Sequence, residues 1–319
     1  MTLNHYPRSW YPLCKSEELR LKGLVEVPAF GTRLAVFRTL SGKVGALRAE
    51  CAHMGANLAD GRVCGERLQC PLHEWEYGVE GRCEFIPAEN NIPARASQPY
   101  LKCIERFGLV LGFLGGEPEF EFPEFEESDN SCYSQAYTME FDTPYQVLAA
   151  NSFDSQHFAT VHHRRLVRKP DLNCLSPHHF SVRFEAIVEG RQGHDRILRA
   201  AGVKTVALEA HCWGGNSIFA YNTHTKARIL FIILPISETR CRVYVLNVLH
   251  SEAAPKSALL RRLMLAVIHW LTISFLKPDI RVLRGLQFKL GTLLPDSDHA
   301  FIEWVKYWKG LALATLESE

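Results

Sequence analysis

In "RLAVFRTLSGKVGALRAE" apolar and polar residues alternate on both sides of Ser41-Gly42, which predicts two antiparallel strands joined by a tight turn. "LADGRVCGERLQ" reads as a second hairpin around Gly61 and Gly65, so the first third is expected to be short strands linked by turns. After "FGLVLGFLGG" the texture changes: "GGEPEFEFPEFEESDNS" crowds acidic residues and prolines together, and the domain boundary is placed there, dividing 1–120 from 121–319. Beyond it, "FSVRFEAIVEG" sets Phe180, Val182, Phe184, Ala186 and Val188 on one face at period two. "ARILFIILPIS" and "TRCRVYVLNVLH" continue as strands of what is expected to be one antiparallel sheet. "FIEWVKYW" spaces Phe301, Trp304, Val305 and Trp308 as an amphipathic helix.

One segment fits neither period. "LMLAVIHWLTISFL", Leu263 to Leu276, is apolar apart from His269, Thr272 and Ser274, and is bracketed by Arg261, Arg262 and Lys277. It is shorter than a bilayer span requires. A buried or pocket-covering helix is the first reading, and in-plane contact with a membrane surface the second.

Composition narrows the function classes. The chain has 319 residues, 47% hydrophobic and 22% charged, which is globular rather than disordered. A net charge of +1 leaves no nucleic-acid footprint. Ten cysteines in a chain of this length are not a disulfide scaffold. The opening "MTLNHYPRSWYPLCKSEELRLKG" has no apolar run of the signal-peptide kind. A cytoplasmic location is expected, where paired Cys and His point to metal.

Such pairs occur in "CAHMGANLADGRVCGERLQCPLHEW", which offers Cys51 and His53, then Cys70 and His73. A zinc finger groups its cysteines together and its histidines together. Here each loop supplies one of each, which suits a dinuclear cluster with two chemically different irons. C-x-H, sixteen residues, then C-x-x-H resembles the Rieske [2Fe–2S] signature, with Gly55-Ala56, Pro71, Trp75 and "GVEGRC" as matching flanks. Met54 and Glu74 depart from the usual pattern, at positions that are not ligands. The resemblance implies two thiolates on one iron and two imidazoles on the other.

A second constellation, "NSFDSQHFATVHH", resembles the D-x-x-H-x-x-x-x-H motif of the Rieske non-haem iron oxygenases. The resemblance makes His157 and His162 ligands of a mononuclear Fe(II), with Asn151 also in a familiar place. On a regular helix, however, residues five apart lie about 140° around the axis. Either the helix ends between the histidines or a π-bulge intervenes, and by geometry alone His163 serves no worse than His162. Iron that activates dioxygen commonly takes two histidines and a carboxylate. The family's late carboxylate is carried to "LLPDSDHAFIEWVKYW", to Asp298 rather than Asp296, although Asp298 also suits a helix N-cap. Asp154 is implied to hydrogen-bond an iron histidine and the partner subunit's His73, and hence a homotrimer.

The resemblance covers nearly the whole chain. It implies an α+β protein, with an N-terminal all-β Rieske [2Fe–2S] domain and a C-terminal helix-grip-like antiparallel-sheet catalytic domain. The expected activity is mono- or dioxygenation with O2. Electrons are expected from a separate NAD(P)H-dependent reductase, with or without a ferredoxin, because neither G-x-G-x-x-G after a strand nor a plant-type ferredoxin cysteine run is present. The later strands carry few charged pocket candidates, which favours an apolar small molecule. "CPLHEWEYGVEGRCEFIP" is similar to steroid-hydroxylating members such as the 3-ketosteroid 9α-hydroxylases, so a polycyclic, sterol-like substrate is expected. The competing classes are a pure Rieske electron carrier and a helix-grip ligand-binding module with a structural metal.

Overall fold

The computed structural model describes residues 5–124, 132–189, 193–200, 202–222, 228–251, 254–289 and 295–316. The chain forms two compact units. The first is built on the chain up to Phe122 and also takes Leu234–Glu238 and the segment from Ala312; the second comprises Pro123–Ile233 and Thr239–Leu311. The acidic boundary segment lies partly outside the described residues.

In the first unit the hairpin around Ser41-Gly42 forms as its alternation predicts, with Thr32–Arg38 antiparallel to Val44–Arg48 and Arg38 opposite Val44. These are two strands of a six-stranded sheet, ordered Ser9–Lys15, Leu109–Leu114, Tyr100–Arg106, Val44–Arg48, Thr32–Arg38 and Leu24–Ala29. A smaller sheet holds Arg62–Cys64, Arg67–Gln69, Glu76–Tyr77 and Cys83–Phe85. Phe37, Leu47, Leu58, Leu68 and Tyr77 form one buried cluster, with Cys51 and Cys70 at its edge. The unit is not purely strands: helix α1 (Ser16–Lys22) carries Glu17 and Glu18 in its first turn and ends at Gly23, whose N–H bonds the Leu19 carbonyl. Leu234–Glu238 joins this unit because the Phe30 and Gly31 N–H groups donate to the Pro235 and Ile236 carbonyls at 2.9 and 2.8 Å.

The second unit is an eight-stranded antiparallel sheet among the described residues. Its order is Cys132–Phe141, Arg240–His250, Arg228–Ser237, Ser217–Asn222, Thr205–Trp213, His179–Val188 and Arg164–Leu166, and Asp171–Ser176 also pairs with His179–Val188. Phe180, Val182, Phe184, Ala186 and Val188 are all buried, on the face the alternation assigns to the core. Its helices are α2 (Tyr145–Asn151), α3 (Ser155–Thr160), α4 (Gly193–Ala200), α5 (Ala258–Leu283) and α6 (His299–Lys309). On α6, Trp304 is fully buried and stacks on Phe153, and Tyr307 stacks on Phe180. Helix α5 extends beyond the expected Leu263–Leu276 at both ends and contains Pro278. Leu265, Thr272, Asp279 and Leu283 form its buried stripe. The Thr272 hydroxyl ties that stripe to the buried Asn247 amide oxygen at 2.8 Å.

Candidate metal centres

The two Cys/His loops of the first unit have the same backbone plan. The Cys51 N–H donates to the Ala56 carbonyl at 2.9 Å, and the Gly55 N–H returns to the Cys51 carbonyl at 2.8 Å. In the other loop Cys70 N–H bonds Trp75 and Glu74 N–H bonds Cys70, at 2.8 and 3.2 Å. The turn needs a left-handed residue, which Gly55 supplies at φ 74° and Glu74 at φ 56°. Each loop therefore points its cysteine inward and its histidine outward: Cys51 and Cys70 are buried, His53 and His73 exposed. The imidazoles face each other with centroids 4.8 Å apart, and His53 stacks on Trp75 at 4.3 Å.

That donor set fits a [2Fe–2S] cluster with a sheltered thiolate-held iron and an outward imidazole-held one. The Tyr77 hydroxyl lies 3.1 Å from the Cys51 Sγ. Burial, and then Cys51, push the Tyr77 phenol up, so it stays protonated and donates to a thiolate. Burial likewise pushes the Cys70 thiol up.

In the second unit, His157, His162 and Asp279 bring three ligand atoms within 4.8 Å of one another, all three residues being buried. The geometry that a regular helix forbids is reached by ending it. Helix α3 stops at Thr160, the Val161 N–H caps the His157 carbonyl at 2.7 Å, and the His162 N–H also points to that carbonyl at 3.4 Å. The next residue, His163, is left-handed at φ 51° and exposed, so the chain turns it away.

The His157 Nδ1 lies 2.7 Å from the Asp154 carbonyl oxygen and donates to it. That sets the tautomer and leaves Nε2 facing the cluster. Burial holds His157 below the usual imidazole value, against the pull of Asp279, and a neutral ring is the form that binds metal. His162 stacks on Phe275 at 4.0 Å, with its Nε2 3.1 Å from the Asp279 Oδ1. That carboxylate oxygen is buried without hydrogen-bond geometry to any partner. Two imidazoles and a buried carboxyl group fit a divalent cation of the two-His, one-carboxylate type.

Asp298 is not in this group, which corrects the expectation for the third ligand. It stands at the N-cap position of α6, half-buried, and its carboxylate accepts from the Gln156 side-chain amide. The carboxylate that reaches the histidines comes instead from Asp279, on the inner face of α5. Asp296, the other late candidate, is exposed on the short turn Asp296–Asp298 before α6. The Asp154 side chain is taken up locally: its Oδ1 caps α3 by accepting the Gln156 and His157 N–H groups at 2.8 and 3.2 Å. The Asn151 Nδ2 lies 3.5 Å from the His157 Nε2.

Next to these residues opens an apolar pocket. Met139, Phe141, Phe231, Ile233 and Val243 line its sheet side, Leu276, Ile280 and Leu283 of α5 cover it, and Asn151 and Asp279 supply polar groups. Its lining suits an apolar molecule and, through Asp279, borders the His157–His162–Asp279 cluster.

Residues 9–103 match the Rieske [2Fe–2S] domain, and residues 113–308 match the 3-ketosteroid 9α-hydroxylase C-terminal domain. The chain belongs to this Rieske oxygenase family. It is 27% identical over 335 residues to aminopyrrolnitrin oxygenase of Pseudomonas fluorescens, covering 95% of this chain and 90% of the relative. A shorter match, 32% identical over 163 residues, links 49% of the chain to 35% of a cholesterol 7-desaturase of Ciona intestinalis. The fold superposes on dicamba monooxygenase bound to dicamba with a TM-score of 0.72, at 18% identity, over 95% of this chain and 96% of that one.

As a Rieske non-haem iron oxygenase the chain uses a [2Fe–2S] cluster and a mononuclear iron. The residue that sequence reasoning missed is Asp279. It follows Lys277-Pro278, which reads as the end of an apolar helix, so its helical phase was not followed. The available signal was that phase: Leu265, Thr272 and Asp279 recur every seven residues, placing the helix's only carboxylate on its buried face.

Proposed function

We propose that this oxygenase hydroxylates an apolar, polycyclic molecule of the sterol kind, using O2 and electrons from a separate NAD(P)H-dependent reductase. The observation that carries the reading is the apolar cavity sharing Asp279 with the two histidines. The names of the steroid-active family model and of the cholesterol desaturase point the same way. A pure electron carrier has no use for the buried His157–His162–Asp279 group, and a structural metal has no need of a cavity beside it.

In this reading Cys51 and Cys70 hold one cluster iron, His53 and His73 the other, and His157, His162 and Asp279 the mononuclear iron. When bound, the two centres supply electron storage and dioxygen activation. The chain's own residues do the positioning. The Asp154 carbonyl fixes the His157 ring through Nδ1, and Phe275 fixes His162 by stacking. Leu276, Ile280 and Leu283 keep water off the cavity and present substrate by shape, with no cationic side chain among the described lining residues to select a carboxylate. We further propose a homotrimer, in which Asp154 faces the partner subunit's His73.

The test is turnover with a surrogate reductase on a panel of 3-ketosteroids, sterols and substituted benzoates. Hydroxylated steroid product with no benzoate turnover is expected. Benzoate oxidation without any reaction on the steroids would overturn the substrate class while leaving the oxygenase in place.

A further inference from the structure

Helix α5 is apolar on both sides, and only one side is accounted for. Its inner face carries Asp279 and the cavity-lining Leu276, Ile280 and Leu283. On the outer face Leu259, Leu263, Val267 and Trp270 are 67%, 55%, 57% and 57% exposed, with Leu260 beside them at 54%. At 100° per residue the first four fall within about 40° of a single line along the helix. Isolated exposed apolar residues are ordinary, but a continuous stripe of this kind marks a surface that something covers.

The charges on the helix indicate what covers it. Lys277 and Arg281 are exposed and continue the same line toward the C-terminus, and the exposed Arg262 flanks its start. The single acidic residue of α5, Asp279, lies on the opposite, buried face. Outward, the helix is therefore apolar and basic apart from Ser274 and carries no acidic group, with a tryptophan between its apolar and its basic part. That combination matches the boundary between acyl chains and anionic headgroups.

The helix is long and apolar enough by composition to cross a bilayer. It cannot do so here, because Thr272 is bonded to Asn247 of the sheet and Asp279 sits beside His157 and His162. Only the outer stripe is available to lipid.

We propose that the outer face of α5 docks the enzyme, in the plane of the interface, on an anionic membrane surface. The cavity lies under the same helix, so a lipid-dissolved substrate would meet the enzyme at its pocket cover. That last step rests on the function proposed above, whereas the docking does not.

The test uses the metal-loaded enzyme and flotation with phosphatidylcholine vesicles, with and without phosphatidylglycerol. The wild-type protein is expected to float with the phosphatidylglycerol vesicles, less as salt is raised. Leu263→Glu/Val267→Glu should weaken partition by about ten-fold or more, with cluster absorbance and iron content unchanged. Lys277→Glu/Arg281→Glu keeps the apolar stripe and should lose the preference for phosphatidylglycerol, which guards against a misfolded first variant. Wild-type protein that stays at the bottom of the gradient at low salt overturns the proposal. So does a Leu263→Glu/Val267→Glu variant that floats like wild type. If that variant instead sediments as a smaller species than wild type, and neither floats, the stripe is a contact between copies of the chain and the lipid assignment is wrong.

Discussion

The Cys51 sulfur shows how a single hydrogen bond sets a property of the whole centre. Tyr77 is fully buried, its phenol is held protonated, and its oxygen is 3.1 Å from the Cys51 Sγ. Donation to a ligand thiolate stabilises the more negative, reduced cluster, so its removal lowers the potential. One such bond is worth about 1 kcal/mol, which for one electron is roughly 40 mV. Tyr77→Phe should therefore shift the midpoint down by about that amount in a redox titration, with the absorption spectrum intact; an unchanged midpoint would show that the contact carries no hydrogen bond. The carboxylates divide as sharply. Asp279→Asn should remove mononuclear iron and lower turnover by more than about 100-fold, beyond the loss typical of an outer partner. Asp298→Asn should leave both near wild type, since Asp298 stands outside the three-residue group and its side chain meets Gln156. Iron analysis of the two purified variants decides between them. The histidines were assigned through the resemblance of "NSFDSQHFATVHH" to the family motif, since spacing alone did not choose His162 over His163. The carboxylate was not, because the α6 start offers two aspartates at a plausible place while Asp279 hides behind a proline.

The period-two runs at Thr32–Arg38, Val44–Arg48 and His179–Val188 all formed strands. In His179–Val188 a slip of one residue would expose the apolar set, whereas the middles of Thr32–Arg38 and Val44–Arg48 are buried on both faces. Helix α5 escaped in part because apolar residues on its outer as well as its inner side mask its phase, and because Pro278 inside it reads as a stop. The solvent-side pairing of neighbouring strands was also invisible to local pattern. His179, on the strand His179–Val188, meets His211 of Thr205–Trp213 with nitrogens 2.7 Å apart, and His211 meets Glu209 at 3.1 Å. Trp213 stacks on His179, and Tyr221 sits against His211. Burial, with His211 adding to it, pushes His179 down to about 4. The sign follows directly. Between the ordinary histidine value and about 4 the unfolded chain binds a proton that the folded one refuses, so stability falls as pH falls through that window. His179→Asn should flatten the decline of Tm between pH 6.5 and 4 in the metal-loaded enzyme, and a decline as steep as that of wild type would place the acid sensitivity elsewhere.

At the scale of the molecule, sequence texture places one boundary near the acidic, proline-containing segment, whereas the first unit also takes in Leu234–Glu238 and the chain from Ala312. Those returns rest on backbone bonds such as Arg8 N–H to the Ala312 carbonyl, between residues no local period connects. The proposed trimer reaches a scale that neither unit shows by itself, and it makes a claim that one chain cannot satisfy alone. If Asp154 serves the partner subunit's His73, electrons stored on one subunit are used on its neighbour. Two inactive chains should then rescue each other. Cys51→Ser leaves His157, His162 and Asp279 intact, and His157→Ala leaves both Cys/His loops intact. Co-expressed in equal amounts and mixed at random in a closed ring, half of the donor positions carry intact loops and half of the acceptor positions an intact iron site. Productive neighbours then make up the product of the two, about one quarter of wild-type turnover per chain. Transfer within a single chain predicts none, since every chain in the mixture lacks one centre. Turnover of the co-purified mixture, measured against each variant alone and against the same variants mixed after assembly, separates the two routes. Activity that reaches about one quarter only on co-assembly supports the inter-subunit path, and a mixture as inactive as its parents would remove Asp154 from it.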